Sequence, residues 1–125
     1  MAAYSHIRLE LAREPGRPLG DPDLGYDIVA PLDAQGRLDP AGWRRDPSHC
    51  RVRRFREGET EAVGTLAHVS GGRWVFDFGE EDRLDEAGYR LEQESFQPGD
   101  YVSIRMTDGQ LHPFRVVSVR DAEPG

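Results

Sequence analysis

From Phe96 to Val119 (FQPGDYVSIRMTDGQLHPFRVVSV) apolar and polar positions alternate with the two-residue period of a β-strand. Pro98-Gly99 breaks the preceding chain. Val102, Ile104 and Met106 then alternate with Ser103, Arg105 and Thr107, and Asp108-Gly109 turns the chain into a second β-rich run. The pattern predicts a β-hairpin, and burial selects its register. A loop of three residues, Thr107 to Gly109, with Gly109 left-handed, sets Met106 opposite Gln110, Ile104 opposite His112 and Val102 opposite Phe114. Apolar then meets apolar except at His112. A tighter Asp-Gly loop would pair Val102 with Arg115 and spread hydrophobic side chains over both faces. Pro113 lacks an N–H for a ladder, which predicts an exposed edge or a bulge near the start of the second strand.

The same periodicity marks other strands. Ser5 to Arg13 carries Ile7, Leu9 and Leu11 on one face and His6, Arg8 and Glu10 on the other. The next ten residues, EPGRPLGDPD, hold three prolines and two glycines and read as an irregular surface loop. Leu24 to Leu32 forms a strand with Tyr26, Ile28 and Ala30 on one face. Asp39-Pro40 suits an N-cap followed by proline at the first helical position, and Gly42 limits the helix to about one turn, which places Trp43. Cys50 to Phe55 is a strand whose inward residues change phase, so a bulge or twist is expected near Arg53-Arg54. Thr60 to Gly79 is a second hairpin. With Gly71-Gly72 as its loop, Val69 faces Trp74, Ala67 faces Phe76 and Thr65 faces Phe78, leaving Leu66, His68, Val75 and Asp77 on the opposite face. Glu80 to Gly88 reads as an acidic connection with one helical turn, and Tyr89 to Glu94 as a weaker strand.

These elements predict a mainly β fold: a small antiparallel β-barrel or β-roll of about seven strands with one or two short helical turns. A single domain of 125 residues is expected, structured over 5–119, with 120–125 as a flexible tail.

Composition narrows the function classes. The net charge of −7 opposes unselective binding to nucleic acid or to an anionic membrane. All 16 basic residues are arginine, so arginine must be judged by its clustering. Cys50 is the one cysteine, which excludes an internal disulfide. The chain begins without the apolar core of a signal peptide and contains no membrane-length apolar run, so a soluble cytoplasmic protein is expected.

Candidate chemistry falls in three places. In the Gly-Gly register His68 lies diagonal to Asp77 on one face, where a carboxylate would orient an imidazole as a general base. The alternative is an ordinary cross-strand polar pair. His112 faces the apolar side of its hairpin and would line a barrel mouth as a ligand contact or proton shuttle, or serve as a satisfied core-edge histidine. Arg51 and Arg53, near Trp43 and Phe55, share a strand face suited to phosphates and a stacked base, as in single-strand binders on small barrels. Asp46, Glu57, Glu59 and Glu61 dilute that cluster. Histidine and cysteine spacing gives no metal motif, and Cys50 reads as a small core residue.

SFQPGDYVSIRMTDGQ resembles the F-x-P-G-Q-Y-V strand of the flavin-binding barrel of ferredoxin-reductase-like enzymes, over about a fifth of the chain. The family's R-x-Y-[ST] flavin motif has no counterpart: the nearest stretch, His112 to Val116, offers neither the tyrosine nor the hydroxyl. The resemblance therefore implies a shared barrel element, and no cofactor is expected. Taken whole, the chain resembles small bacterial proteins of unassigned activity, a likeness that implies no site. The leading expectation is a binding or interaction module without catalytic activity, with a protein partner or self-association through an edge strand such as the one broken at Pro113. An enzyme or ligand-binding barrel using His68, Asp77 and His112 is the second. A single-stranded nucleic-acid binder using Arg51 and Arg53 is the third.

Overall fold

The computed structural model describes residues 4–69, 73–78, 84–87, 95–106 and 109–122. The fold is mainly β. Among these residues eight antiparallel strands follow one another: β1 (Tyr4–Leu11), β2 (Asp21–Pro31), β3 (Arg51–Arg56), β4 (Glu59–Val69), β5 (Arg73–Asp77), β6 (Leu84–Ala87), β7 (Tyr101–Arg105) and β8 (Leu111–Asp121). Each pairs with the next, and β8 also pairs with β1, which curls the sheet on itself. The thinnest seam is β6–β7, with one described pair, Glu86 with Arg105.

Curling follows from the period-two pattern, since β1 to β5, β7 and β8 each have an apolar face to bury. Ile7, Leu9 and Leu11 of β1, Tyr26, Ile28 and Ala30 of β2, Val52 of β3, Leu66 of β4, Trp74 and Phe76 of β5, Val102 and Ile104 of β7, and Phe114 and Val116 of β8 form one core. At its centre the Tyr26 ring meets Phe76 at 5.0 Å and Phe114 at 5.2 Å. Arrangements of this kind add roughly 0.5–1.5 kcal/mol per pair beyond area burial.

The closing hairpin has the register expected from burial. Val102 pairs with Phe114 and Ile104 with His112, Met106 N–H donates to the Gln110 carbonyl at 3.1 Å, and Gly109 is left-handed with φ of 81°. Pro113 behaves differently from expectation. It lies inside a strand paired on both sides, with β7 and with β1. Its carbonyl accepts from Ala12 N–H at 2.9 Å, just past the end of β1, so its missing N–H falls where no ladder bond is required. The irregularity in β8 lies further on, where Leu9 pairs with Val116 and Arg8 with Ser118. No strand edge is therefore open at Pro113 for self-association.

α1 (Pro40–Arg45) begins as the sequence predicts: the Asp39 carboxylate accepts from Ala41 N–H at 3.1 Å and Pro40 opens the helix. The helix is held against the sheet end by Trp43, whose Nε1–H donates to the Leu66 carbonyl at 2.8 Å. A 3-10 turn, Pro47–His49, follows. The β3–β4 register shifts between Arg54 and Phe55, close to the bulge expected there. Two expectations are corrected. Residues 84–87 form strand β6 where an acidic connection with a helical turn was anticipated. Arg120 and Asp121, expected in a flexible tail, are paired with β1, and Ala122 N–H donates to the Tyr4 carbonyl at 2.9 Å. The expected strand at 89–94 and the Gly71-Gly72 loop lie outside the described residues.

Candidate binding cleft

The β4–β5 register separates His68 from Asp77. Leu66 pairs with Phe76, His68 with Trp74 and Thr65 with Asp77, one residue out of step with the expected Gly-Gly hairpin. A shift of one residue turns β4 over relative to β5. The gain is apolar: Leu66, rather than Ala67, enters the core beside Phe76. The consequence for chemistry is that His68 takes the inner face and Asp77 the outer, so they form no acid–base pair. The His68 imidazole stacks on Trp74 at 4.3 Å and 23°, with Trp43 edge-on at 5.9 Å. His68 Nε2 and Trp74 Nε1 are both buried without a hydrogen-bond partner among the described residues.

His112 does lie opposite Ile104, but its ring turns to the rim. Its Nδ1 is 2.9 Å from Glu14 Oε1, in a pair whose side chains are only 16% and 14% exposed. Glu14 belongs to the β1–β2 connection, so His112 acts as a clasp on that loop.

Of the two arginines proposed for phosphate contact, Arg53 is already engaged. It donates to Asp27 at 2.6 Å and to Thr60 Oγ1 at 2.6 Å, and its guanidinium lies over the Phe55 ring. Arg8 covers the same ring at 4.2 Å and also reaches Asp27 at 3.4 Å, and His6 Nε2 is 3.3 Å from Asp27. Phe55 thus lies on the outer face yet is only 1% exposed. Arg51 stays exposed beside Thr65, without an ion-pair partner among the described residues. The arrangement brings Arg51 and Arg53 to one face but leaves a single uncommitted cation there. Cys50 is buried, and burial, reinforced by Asp46, pushes its thiol up to about 11. That disfavours the thiolate a nucleophile requires.

A concave site forms elsewhere. The proline- and glycine-rich connection after β1 folds back as a strap: Glu14 N–H donates to the Arg17 carbonyl at 3.1 Å and Arg17 N–H to the Glu14 carbonyl at 2.8 Å. The His112 clasp and the Ala12–Pro113 bond fix the strap to β8. Between the strap and the outer faces of β1, β7 and β8 lies a cleft of about 460 Å³, within the ordinary range for ligand sites. Leu19 and Tyr101 line it, and both are largely exposed, at 91% and 61%.

Strand register builds the cleft floor. Tyr101 pairs with Arg115, and Arg115 with Glu10, so the three form one row across β7, β8 and β1. Arg13 and Asp21 complete the charged lining. The two acids are occupied: Glu10 accepts from Arg8 Nε at 3.0 Å, and Asp21 takes Asp23 N–H at 2.9 Å on one oxygen and faces Arg17 at 3.5 Å on the other. Arg13 and Arg115 have no ion-pair partner among the described residues.

None of these lining residues stands out in the sequence as a candidate site. Tyr101 and Arg115 were accessible from the hairpin register, which sets them opposite each other. Leu19, an apolar residue between Pro18 and Gly20, was the other signal. The position of the strap depends on a contact 98 residues apart, Glu14 with His112, which no local pattern encodes.

Among the described residues no group of three or more His, Cys, Asp and Glu side chains is arranged to hold a metal ion, and no helix is long and apolar enough to cross a membrane. No protein-family model, curated protein or solved structure matches the chain.

Proposed function

We propose that the protein is a small non-catalytic binding module whose ligand occupies the cleft between the β1–β2 strap and the outer faces of β7 and β8. The observation that carries this reading is the conjunction, in one concavity, of exposed Leu19 and Tyr101 with two arginines that have no ion-pair partner among the described residues. Water meets an exposed leucine at a cost in free energy, so a binding partner that covers Leu19 and Tyr101 gains about 25 cal/mol per Å² of apolar surface removed from solvent. The curled sheet, read as a closed barrel joined at the β6–β7 seam, supplies a rigid floor. The strap supplies the wall.

Two features favour binding over catalysis. His68 is packed between tryptophans and His112 is paired with Glu14, so neither faces the cleft as a general base. The one thiol is buried with a raised pKa. A small-molecule fragment screen followed by amide and side-chain NMR tests the reading. Shifts should concentrate at Leu19, Tyr101 and Arg115 and disappear in Leu19→Ser/Tyr101→Ser, whose exposed positions leave the core intact. Shifts centred on Arg51 or His68 instead would refute it.

A further inference from the structure

We infer that the cleft recognises a carboxylate joined to an apolar or aromatic group; this rests on the cleft being the binding site and specifies its ligand. Charge comes first. Arg13 and Arg115 line the cleft together with Glu10 and Asp21, and each acid is already engaged, Glu10 by Arg8 and Asp21 by Arg17. The lining is thus balanced in a protein whose net charge is −7, and the two guanidinium groups without an ion-pair partner among the described residues are where an anion can be held.

The second step is geometry. Arg115 lies directly between Tyr101 and Glu10 in the cross-strand row, and directly opposed residues hold their Cβ atoms about 4.5–5.5 Å apart. A carboxylate on the Arg115 guanidinium therefore brings the atoms attached to it against the Tyr101 ring. Leu19 of the strap faces the same space. A guanidinium presents a planar fork that matches a carboxylate with two parallel N–H···O bonds.

Selectivity among anions follows from the same balance: with Arg13 and Arg115 offset by Glu10 and Asp21, the second charge of a dianionic phosphate finds no net attraction to offset its greater desolvation cost. Carboxylates are the better match. They can reach the cleft as free small acids or as the C-terminus of a peptide ending in an apolar residue, and both share the chemistry that the site reads.

Titration with phenylacetate, its neutral analogue phenylacetamide, and Gly-Gly-Phe with a free or amidated C-terminus tests this, followed through the Arg Nε–H, Tyr101 and Leu19 NMR signals. The acids should bind about tenfold or more tightly than the amides, with affinity falling as salt rises. The Arg13→Gln/Arg115→Gln variant, altered at two exposed positions, should erase that preference and leave the fold unchanged. Tighter binding by free-acid Gly-Gly-Phe than by phenylacetate assigns the ligand to chain termini, and the reverse order to small acids. Equal affinities for acid and amide, with both lost in Leu19→Ser/Tyr101→Ser, overturn the carboxylate inference and leave the cleft standing. Absence of any shift at Tyr101 and Leu19 with all four probes at millimolar concentration overturns both.

Discussion

Gly25 is where the outer face is most sensitive to a single methyl group, and its replacement by alanine has an effect of predictable sign. Away from steric conflict, glycine inside a strand costs roughly 0.5–1 kcal/mol relative to alanine, so Gly25→Ala should stabilise. The local structure reverses this. Gly25 pairs with Glu10 on one side and Phe55 on the other, and the Phe55 ring lies across it. A Cβ at Gly25 would overlap the Leu9 carbonyl oxygen and stand 2.8 Å from Phe55 Cζ. The β1 backbone at Leu9 must shift and the ring must lift, and that ring is only 1% exposed because Arg8 and Arg53 cover it. Overpacking costs about 1–3 kcal/mol, and partial exposure of a phenylalanine adds about 1 kcal/mol out of the 1.5–3 that full burial is worth. Less the entropic gain, Gly25→Ala should destabilise by about 2 kcal/mol, visible as a lower urea midpoint with unchanged slope. The ring's share is separable. In a Phe55→Leu background the clash with Cζ is gone, and the cost of Gly25→Ala should fall by about 1 kcal/mol. Equal costs in both backgrounds, or stabilisation of the parent, would show that Phe55 does not rest on Gly25.

Arg8→Gln removes the cation that holds Glu10 at 3.0 Å and frees that carboxylate toward Arg115, its direct neighbour across the strands. A new exposed ion pair is worth about 0.2–1 kcal/mol, so affinity for phenylacetate should drop about two- to fivefold by calorimetry although Arg8 does not line the cleft; unchanged affinity would remove Arg8 from the account. Cys50 titrates near 11 in the fold against 9.0 for the unperturbed thiol, so the unfolded chain loses its proton first and stability falls as pH rises from 9 to 11. The stability lost over that window should exceed the loss in Cys50→Ala by about 2 kcal/mol, and thiol modification at pH 8 should run about a hundredfold slower than for a free thiol; parallel pH profiles for the two proteins, or rapid labelling, would contradict the buried position. Trp74→Phe deletes a buried indole N–H that has no hydrogen-bond partner among the described residues, recovering about 1–3 kcal/mol of desolvation penalty. The recovery should hold the net loss below about 1 kcal/mol in urea unfolding, and a loss above about 3 kcal/mol would mean that the N–H is satisfied.

Much of the sheet was legible in the sequence because burial and strand period agree along it. Ile7, Leu9 and Leu11, or Tyr26, Ile28 and Ala30, have one face they can bury and no alternative period. The closing hairpin was legible for a further reason: only one loop length puts Val102 and Phe114 together. The β4–β5 hairpin was not, since both registers bury Trp74 and Phe76 and differ in whether Ala67 or Leu66 joins them. Turn chemistry at Gly71-Gly72 favoured one register and core volume the other, and core volume prevailed. The result is a histidine turned inward and stacked on Trp74, with an Nε2 that has no hydrogen-bond partner among the described residues. Strand β6 was hidden by composition, because Asp85 and Glu86 lie in an acidic run that reads as solvated connection.

The candidate chemistry divides along the same line. Residues chosen for chemical type, His68 with Asp77 and Arg51 with Arg53, depended on which face each strand presented, and the faces either separated them or tied them to acids already present. The cleft depends less on residue type than on commitment. Among the described residues Arg8, Arg17, Arg53, Arg54 and Arg56 pair with carboxylates, whereas Arg13, Arg37, Arg44, Arg45, Arg51, Arg115 and Arg120 do not. An arginine that finds none is informative only where something else demands a partner. Arg44, Arg45 and Arg51 are simply exposed to solvent. Arg13 and Arg115 stand in a concavity where the nearby acids are occupied and where Leu19 and Tyr101 are poorly served by water. The strap creates this difference. By returning against β8 through Glu14 and His112 it converts an ordinary outer sheet face into a walled site, so the histidine that seemed a candidate ligand contact acts instead as the clasp that shapes the space for one.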